Sequence, residues 1–255
     1  IGKRHKMRII LLSLLALVSI QTLQAAALRG QVTLRKKGNH PAPNPYVNDT
    51  FRTDLRFTTW HLRRKFETTR LKNYDDPTET IVYLSKIPAR YERKEVPPQE
   101  PIKVYIEGAH FKPRTLPVLT GSTVEFVNLD SVFHDVYSYS LASPFQTPFF
   151  HKKTAFITMK KPGGVSTKSS IYQGMRGEIL VLDNPYFTKP RNDGYYSMRN
   201  LRPGVYHVTA WHPEFPPITK EVEVNYGETI TIDFNLTTMG LPEALVRSGV
   251  NQWNG

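Results

Sequence analysis

Apolar and polar residues alternate with a period of two in several short stretches of this chain, and glycine or proline turns separate those stretches. Val124 and Phe126 alternate with Thr123 and Glu125 after a Gly121-Ser122 turn. Tyr206, Val208 and Ala210 alternate with His207, Thr209 and Trp211, and Ile230, Ile232, Phe234 and Leu236 form a period-two face. Leu28 to Leu34 reads as a strand of the Gly-x-Val-x-Leu kind. Thr80 to Leu84, Val104 to Glu107 and Ile179 to Val181 are short, dense apolar runs. Turns are expected at Pro162-Gly163-Gly164, Asn192-Asp193-Gly194 and Pro203-Gly204. The pattern predicts an all-β protein, and the 20 prolines and 15 glycines agree with it.

The ends of the chain break this pattern. Lys3, Arg4, Lys6 and Arg8 precede the apolar run Ile9 to Ile20, and Ala25-Ala26-Ala27 follows, which is the form of a secretory signal peptide over residues 1–27. Met7 is the expected start, and residues 1–6 read as an upstream extension. The apolar run is shorter than a bilayer span, so membrane attachment is expected only through an uncleaved signal segment. Pro41 to Pro77 reads as an irregular insertion in which Thr58 to Arg64 is either a strand or a helical turn. Pro88 to Pro101 reads as a charged linker, and residues 238–255 as a tail with one short helix candidate, Pro242 to Arg247.

Composition narrows the function classes. With 39% apolar residues, 255 residues can build cores of useful size, and an exported chain with no cysteine has no disulfide framework to lean on. A net charge of +12 points to an acidic protein or an anionic surface as partner, while export argues against nucleic acid. The sequence has no His-Glu-x-x-His, no Gly-x-Ser-x-Gly and no phosphate-binding glycine loop, and the expectation is a protein that is not an enzyme. Asn48-Asp49-Thr50 and Asn235-Leu236-Thr237 match the glycosylation acceptor pattern, which matters only in a eukaryotic host.

Two segments carry a resemblance. His134-Asp135-Val136-Tyr137-Ser138-Tyr139-Ser140, followed by Met175-Arg176-Gly177 and an apolar strand, resembles the plastocyanin-like, cupredoxin-fold proteins called methylamine utilization proteins. Alignment on Met175 puts Ser169 where that family has its thiolate cysteine and Tyr172 where it has its second histidine. His134 and Met175 are then the remaining candidate metal ligands. A blue-copper site depends on two imidazoles and a thiolate, so no cofactor is expected, and copper is the one candidate. An ordinary hydrogen-bonded cluster of Ser169, Tyr172 and His134 is the alternative. His110, His151 and His207 are further residues that could approach His134, and His212 reads as a residue fixing a strand end. Farther on, Asn192 to Tyr196 and Leu201 to Tyr206 resemble a carboxypeptidase regulatory-like domain, a transthyretin-type sandwich.

The resulting expectation is a cupredoxin-like Greek-key sandwich over residues 101–182 combined with a transthyretin-like, carboxypeptidase regulatory-like β-sandwich over 183–237, the latter sharing strands from 28–100. In function, the resemblance and its missing ligands imply a periplasmic or secreted non-enzymatic binding or assembly protein with a protein partner. A weak periplasmic copper binder using His134 and Met175, and an electron-transfer accessory protein, are the alternatives. Phe145, Phe149, Phe150 and His151 mark the stretch Ser143 to Lys153 as either an aromatic contact surface or a cap on the barrel.

Overall fold

Two strands precede the middle of the chain, β1 (Ala26–Arg35) and β2 (Ile81–Lys86). The middle holds β3 (Ile102–Ile106), β4 (Phe111–Lys112), β5 (Thr115–Leu119), β6 (Thr123–Asn128), β7 (Tyr137–Ser138), β8 (Phe145–Gln146), β9 (Thr154–Thr158), β10 (Gly163–Lys168) and β11 (Arg176–Leu182). The last part holds β12 (Phe187–Thr188), β13 (Tyr195–Leu201), β14 (Gly204–His212), β15 (Phe215–Val224), β16 (Thr229–Thr231) and β17 (Phe234–Thr237). This computed structural model describes residues 25–35, 76–92, 95–172 and 174–237. Most of the insertion, including Thr58 to Arg64 and Asn48 to Thr50, lies outside them, as do the C-terminal tail with Pro242 to Arg247 and nearly all of the signal-like segment. β1 begins at Ala26, so the expected boundary after Ala27 cuts two residues into a paired strand.

The middle strands form two facing sheets, in the orders β4-β3-β6-β9 and β5-β11-β10-β7-β8. Alternation fixes which side chains meet between them: Val104 and Ile106 from β3, Val124 and Phe126 from β6, and Ile179 and Val181 from β11 enter one core with Val118, Val136, Val165 and Met175. The other strands form a second sandwich. β1 runs between β13 on one side and β16 with β17 on the other, facing a sheet of order β12-β2-β14-β15. Tyr196, Tyr206, Val208, Ala210, Phe215 and Phe234 fill its core.

β16 and β17 would be one strand but for a break at Ile232-Asp233, where the chain leans onto β1. Ile232 N–H donates to the Arg29 carbonyl at 2.7 Å, and the Asp233 carboxylate accepts from Gln31 N–H at 2.8 Å. Gly30 permits this approach, because a Cβ there would collide with the Ile232 carbonyl.

The sandwiches meet across β11. Leu180 and Leu182, on the face of β11 opposite Ile179, pack with Ile81 and Trp211. Trp211 is thus buried although strict alternation would turn it to solvent. Beside this contact the Arg114 guanidinium forks between the carboxylates of Glu79 and Glu214, and Lys189 Nζ donates to the Thr115 carbonyl at 2.7 Å. The expected linker is in part a docked turn: Arg90 and the Tyr91 hydroxyl both donate to the Pro203 carbonyl. Glu178 lies at the edge of the junction, receiving a hydrogen bond from the Ser166 hydroxyl at 3.0 Å. Burial pushes its carboxyl up to about 7, against the pull of Arg176, Ser166 and Arg114.

Two outcomes are expected. Gly30→Ala should lower stability by about 1–3 kcal/mol in chemical denaturation, because the break at Ile232-Asp233 must move off β1; an unchanged midpoint would contradict the close approach. Between pH 4.5 and about 7 the folded protein keeps a proton on Glu178 that the unfolded chain has released. The stability from this group is therefore full below pH 4.5 and is lost as pH rises through 7. Relative to Glu178→Gln, the parent should lose on the order of 2–3 kcal/mol across that window, and parallel stability curves for the two proteins would refute the assignment.

Candidate functional site at the loop end of the first sandwich

The loop between β6 and β7 is fastened by its own polar side chains. Asn128 Nδ2 donates to the Val132 and Phe150 carbonyls at 2.9 and 2.8 Å, and its Oδ1 accepts from Asp130 N–H. The Asp130 carboxylate accepts from Gly108 N–H at 2.7 Å and Ala109 N–H at 2.9 Å, which draws in the β3–β4 turn. It also meets His134 Nε2 at 2.9 Å. His134 is fully buried and pairs through its backbone with Phe150, tying this loop to the one before β9. A second buried carboxylate ties the β10–β11 loop: Asp135 Oδ1 accepts from the Ser169 hydroxyl at 3.0 Å and from Ser170 N–H at 2.8 Å.

Burial lowers the His134 pKa, partly opposed by its bond to Asp130 and by the charges of Asp130 and Asp135. The ring is neutral at neutral pH, and Nε2–H donates to Asp130. Nδ1 then carries a lone pair, buried and without a hydrogen-bond partner. Such an imidazole, oriented by a carboxylate on its far nitrogen, has the form of a metal ligand. The Tyr172 ring lies with its centroid 5.0 Å from that of His134, and burial raises its phenol pKa, so the phenol is neutral. Met175 is buried in the first core with Val136, Phe150 and Tyr172, and its N–H donates to the Tyr172 carbonyl. The structure thus brings His134, Ser169, Tyr172 and Met175 to one end of the sandwich.

These residues do not fit a blue-copper centre. The hydroxyl at the thiolate position is spent on Asp135, the residue at the second imidazole position is a neutral phenol, and the chain has no cysteine. Among the described residues no group of three or more histidine or carboxylate side chains is placed to hold a metal ion. The other histidines divide. His110 bonds the Gly108 carbonyl within the turn held by Asp130, and His151 stacks on Phe133 at 5.2 Å. His207, one of the residues that could have approached His134, lies instead on β14 of the second sandwich, against Glu221. His212 accepts from Glu214 N–H through Nδ1 at the end of β14, and burial pushes it down to about 3.

Outside this network is an apolar rim. Phe133 and Phe149, which flank the His134–Phe150 bridge, are 58% and 59% exposed, and Leu129 and Ile171 on loops of the same network are exposed as well. Of the three phenylalanines in Ser143 to Lys153, Phe149 alone joins this rim. Phe145 packs against Phe126, and Phe150 is buried. Sequence reasoning assigned no role to Asp130 or Asp135, whose signal was their spacing around His134.

Comparison with known proteins gives partial matches. Residues 165–232 match the family model described as polysaccharide lyase family 4, domain II, a span that runs from β10 in the first sandwich into the second. None of the curated proteins matches the chain. A copper-containing nitrite reductase from Thermus scotoductus SA-01 is 33% identical with a TM-score of 0.32, covering 33% of this chain and 23% of the reductase. The match thus spans about a quarter of the reductase's length. A purple cupredoxin from Nitrosopumilus maritimus is 21% identical with a TM-score of 0.29, covering 32% of this chain and 99% of that one. A point mutant of amicyanin in its oxidized state is 19% identical with a TM-score of 0.31, covering 40% and 98%. The described residues are all-β, arranged as two β-sandwiches.

His134 yields a prediction with a definite sign. Its folded pKa is depressed, so its contribution to stability is present above the unfolded value of about 6.5 and is lost as pH falls below it toward the folded value. His134→Gln keeps a donor for Asp130 without titrating, and stability should fall less steeply from pH 6.5 to 5 in this variant than in the parent. Equal slopes would show that His134 titrates normally in the folded protein.

Proposed function

We propose that the protein is an exported, non-enzymatic binding or assembly protein whose contact surface is the apolar rim of Leu129, Phe133, Phe149 and Ile171. The observation that carries this reading is the fastening of the loop end by two buried carboxylates. Asp130 and Asp135 fasten the same end of the sandwich that the resemblance to methylamine utilization proteins assigns to copper, and they leave large apolar side chains fixed in solvent. The four residues come from three loops, those after β6, β8 and β10, so the network that holds those loops also holds the rim together. A net charge of +12 favours an acidic protein partner. Export follows the form of the first 27 residues. Among the described residues no helix is long and apolar enough to cross a membrane.

A second reading has its own observation, the buried lone pair on His134 Nδ1. With the Met175 thioether it would make a weak Cu(I) site of one nitrogen and one sulfur. Electron transfer through blue copper has no such support.

Both readings are tested on the purified chain. Cu(I) and Cu(II) titration should show no stoichiometric site that His134→Ala removes; such a site would establish the copper reading. A partner crosslinked to the chain in its native extract should be lost, or retained at least tenfold less, with Phe133→Ser/Phe149→Ser, because truncating an aromatic anchor costs about 2 kcal/mol or more. Equal recovery with that variant would remove the rim from the binding surface.

A further inference from the structure

β9 is the last strand of the sheet β4-β3-β6-β9 and pairs on one side with β6. Two hydrogen bonds fix which of its backbone groups point inward. Asn128 N–H donates to the Lys153 carbonyl at 3.1 Å, and Met159 N–H donates to the Ser122 carbonyl at 2.9 Å. Bonding direction alternates along an antiparallel strand. With Val127 opposite Thr154 and Thr123 opposite Thr158, the odd-numbered residues therefore bond to β6. Thr154, Phe156 and Thr158 direct their N–H and C=O groups to the open edge, and all three are exposed, Phe156 by 56%.

Open edges are ordinarily blunted by proline or charge. β15, the edge of the second sandwich, carries Pro216, Pro217, Lys220, Glu221 and Glu223. β9 has neither within its span. Instead Lys152-Lys153 precedes it and Lys160-Lys161 follows it, all four exposed and without an ion pair among the described residues. Pairing of β9 with β9 of a second copy would bring lysine pairs against lysine pairs in either strand direction, so the charge pattern disfavours self-association. It favours an extended segment with carboxylates at both ends.

We propose that β9 is a docking edge for an extended, acid-flanked segment of a partner protein, which adds to the sheet as a further strand. Backbone hydrogen bonds to Thr154, Phe156 and Thr158 supply the pairing, the Phe156 ring covers one side chain of the incoming strand, and the lysine pairs set its ends. This edge is separate from the apolar rim, and neither depends on the other.

The test uses the full chain and a fluorescent peptide of alternating threonine and valine with two glutamates at each end, read by anisotropy. Saturable binding is expected at low salt, weakened at about 0.5 M salt where charges are screened, and absent for the same peptide with lysine ends. Thr154→Pro/Thr158→Pro should abolish binding by at least tenfold while the melting temperature holds, because those N–H groups do not bond to β6. Lys152→Glu/Lys153→Glu/Lys160→Glu/Lys161→Glu should reverse the preference toward the lysine-ended peptide, and decides the matter if the prolines unfold the chain. Phe133→Ser/Phe149→Ser should bind the peptide as the parent does. No saturable binding, equal binding of both peptides, or a β9-dependent dimer in sedimentation would overturn the proposal and leave the lysines as guards of the edge.

Discussion

Much of the molecule depends on β11 being buried from both sides. Ile179 and Val181 enter the first core while Leu180 and Leu182 enter the junction with Ile81 and Trp211, so one strand belongs to two apolar clusters. Each large aliphatic side chain fully buried contributes about 1.5–3 kcal/mol, and here neither face can be given up without exposing the other cluster. The Arg114 fork between Glu79 and Glu214 adds direction rather than much net stability, because desolvating three charges offsets most of their attraction. Its effect is to fix where β5 sits relative to the β14–β15 turn.

With that junction fixed, the loop end of the first sandwich is organised by two carboxylates. Asp130 gathers the β3–β4 turn and His134, and Asp135 gathers the β10–β11 loop. A metal ion ties loops together through the lone pairs of its ligands. A carboxylate accepting several hydrogen bonds does so through groups the chain already carries, and it asks for donors where a metal asks for lone pairs. Ser169 supplies such a donor to Asp135. His134 Nε2–H supplies another to Asp130, which leaves its Nδ1 lone pair without a hydrogen-bond partner.

How much of this was legible in the sequence differs from layer to layer. The alternation at Val124 and Phe126 and at Tyr206, Val208 and Ala210 was enough to predict strands and their buried faces, because side-chain direction in a strand is a local property. The same rule failed at Trp211, which is buried on the second face of β14 by a neighbour that period-two reasoning cannot see. Motif spacing pointed to His134 and Met175, and both are buried at the loop end. Arg114, Glu79 and Glu214 read as isolated charges because the contacts that join them span 35 and 100 residues of chain.

The surfaces left over are unequal. On the second sandwich, β15 carries two prolines, a lysine and two glutamates, a pattern that keeps other chains away. On the first, the apolar rim ends at Phe149, and only Phe150, His151 and the first lysine pair separate it from the open edge of β9. The rim and the edge are thus consecutive along the chain, and Phe150, paired with the buried His134, anchors the segment between them. Rigidity at that anchor follows from Asn128 holding the Phe150 carbonyl and Asp130 holding His134. A partner reaching both surfaces would therefore meet groups whose ordering cost was already met on folding, the condition under which a modest area can bind with useful strength.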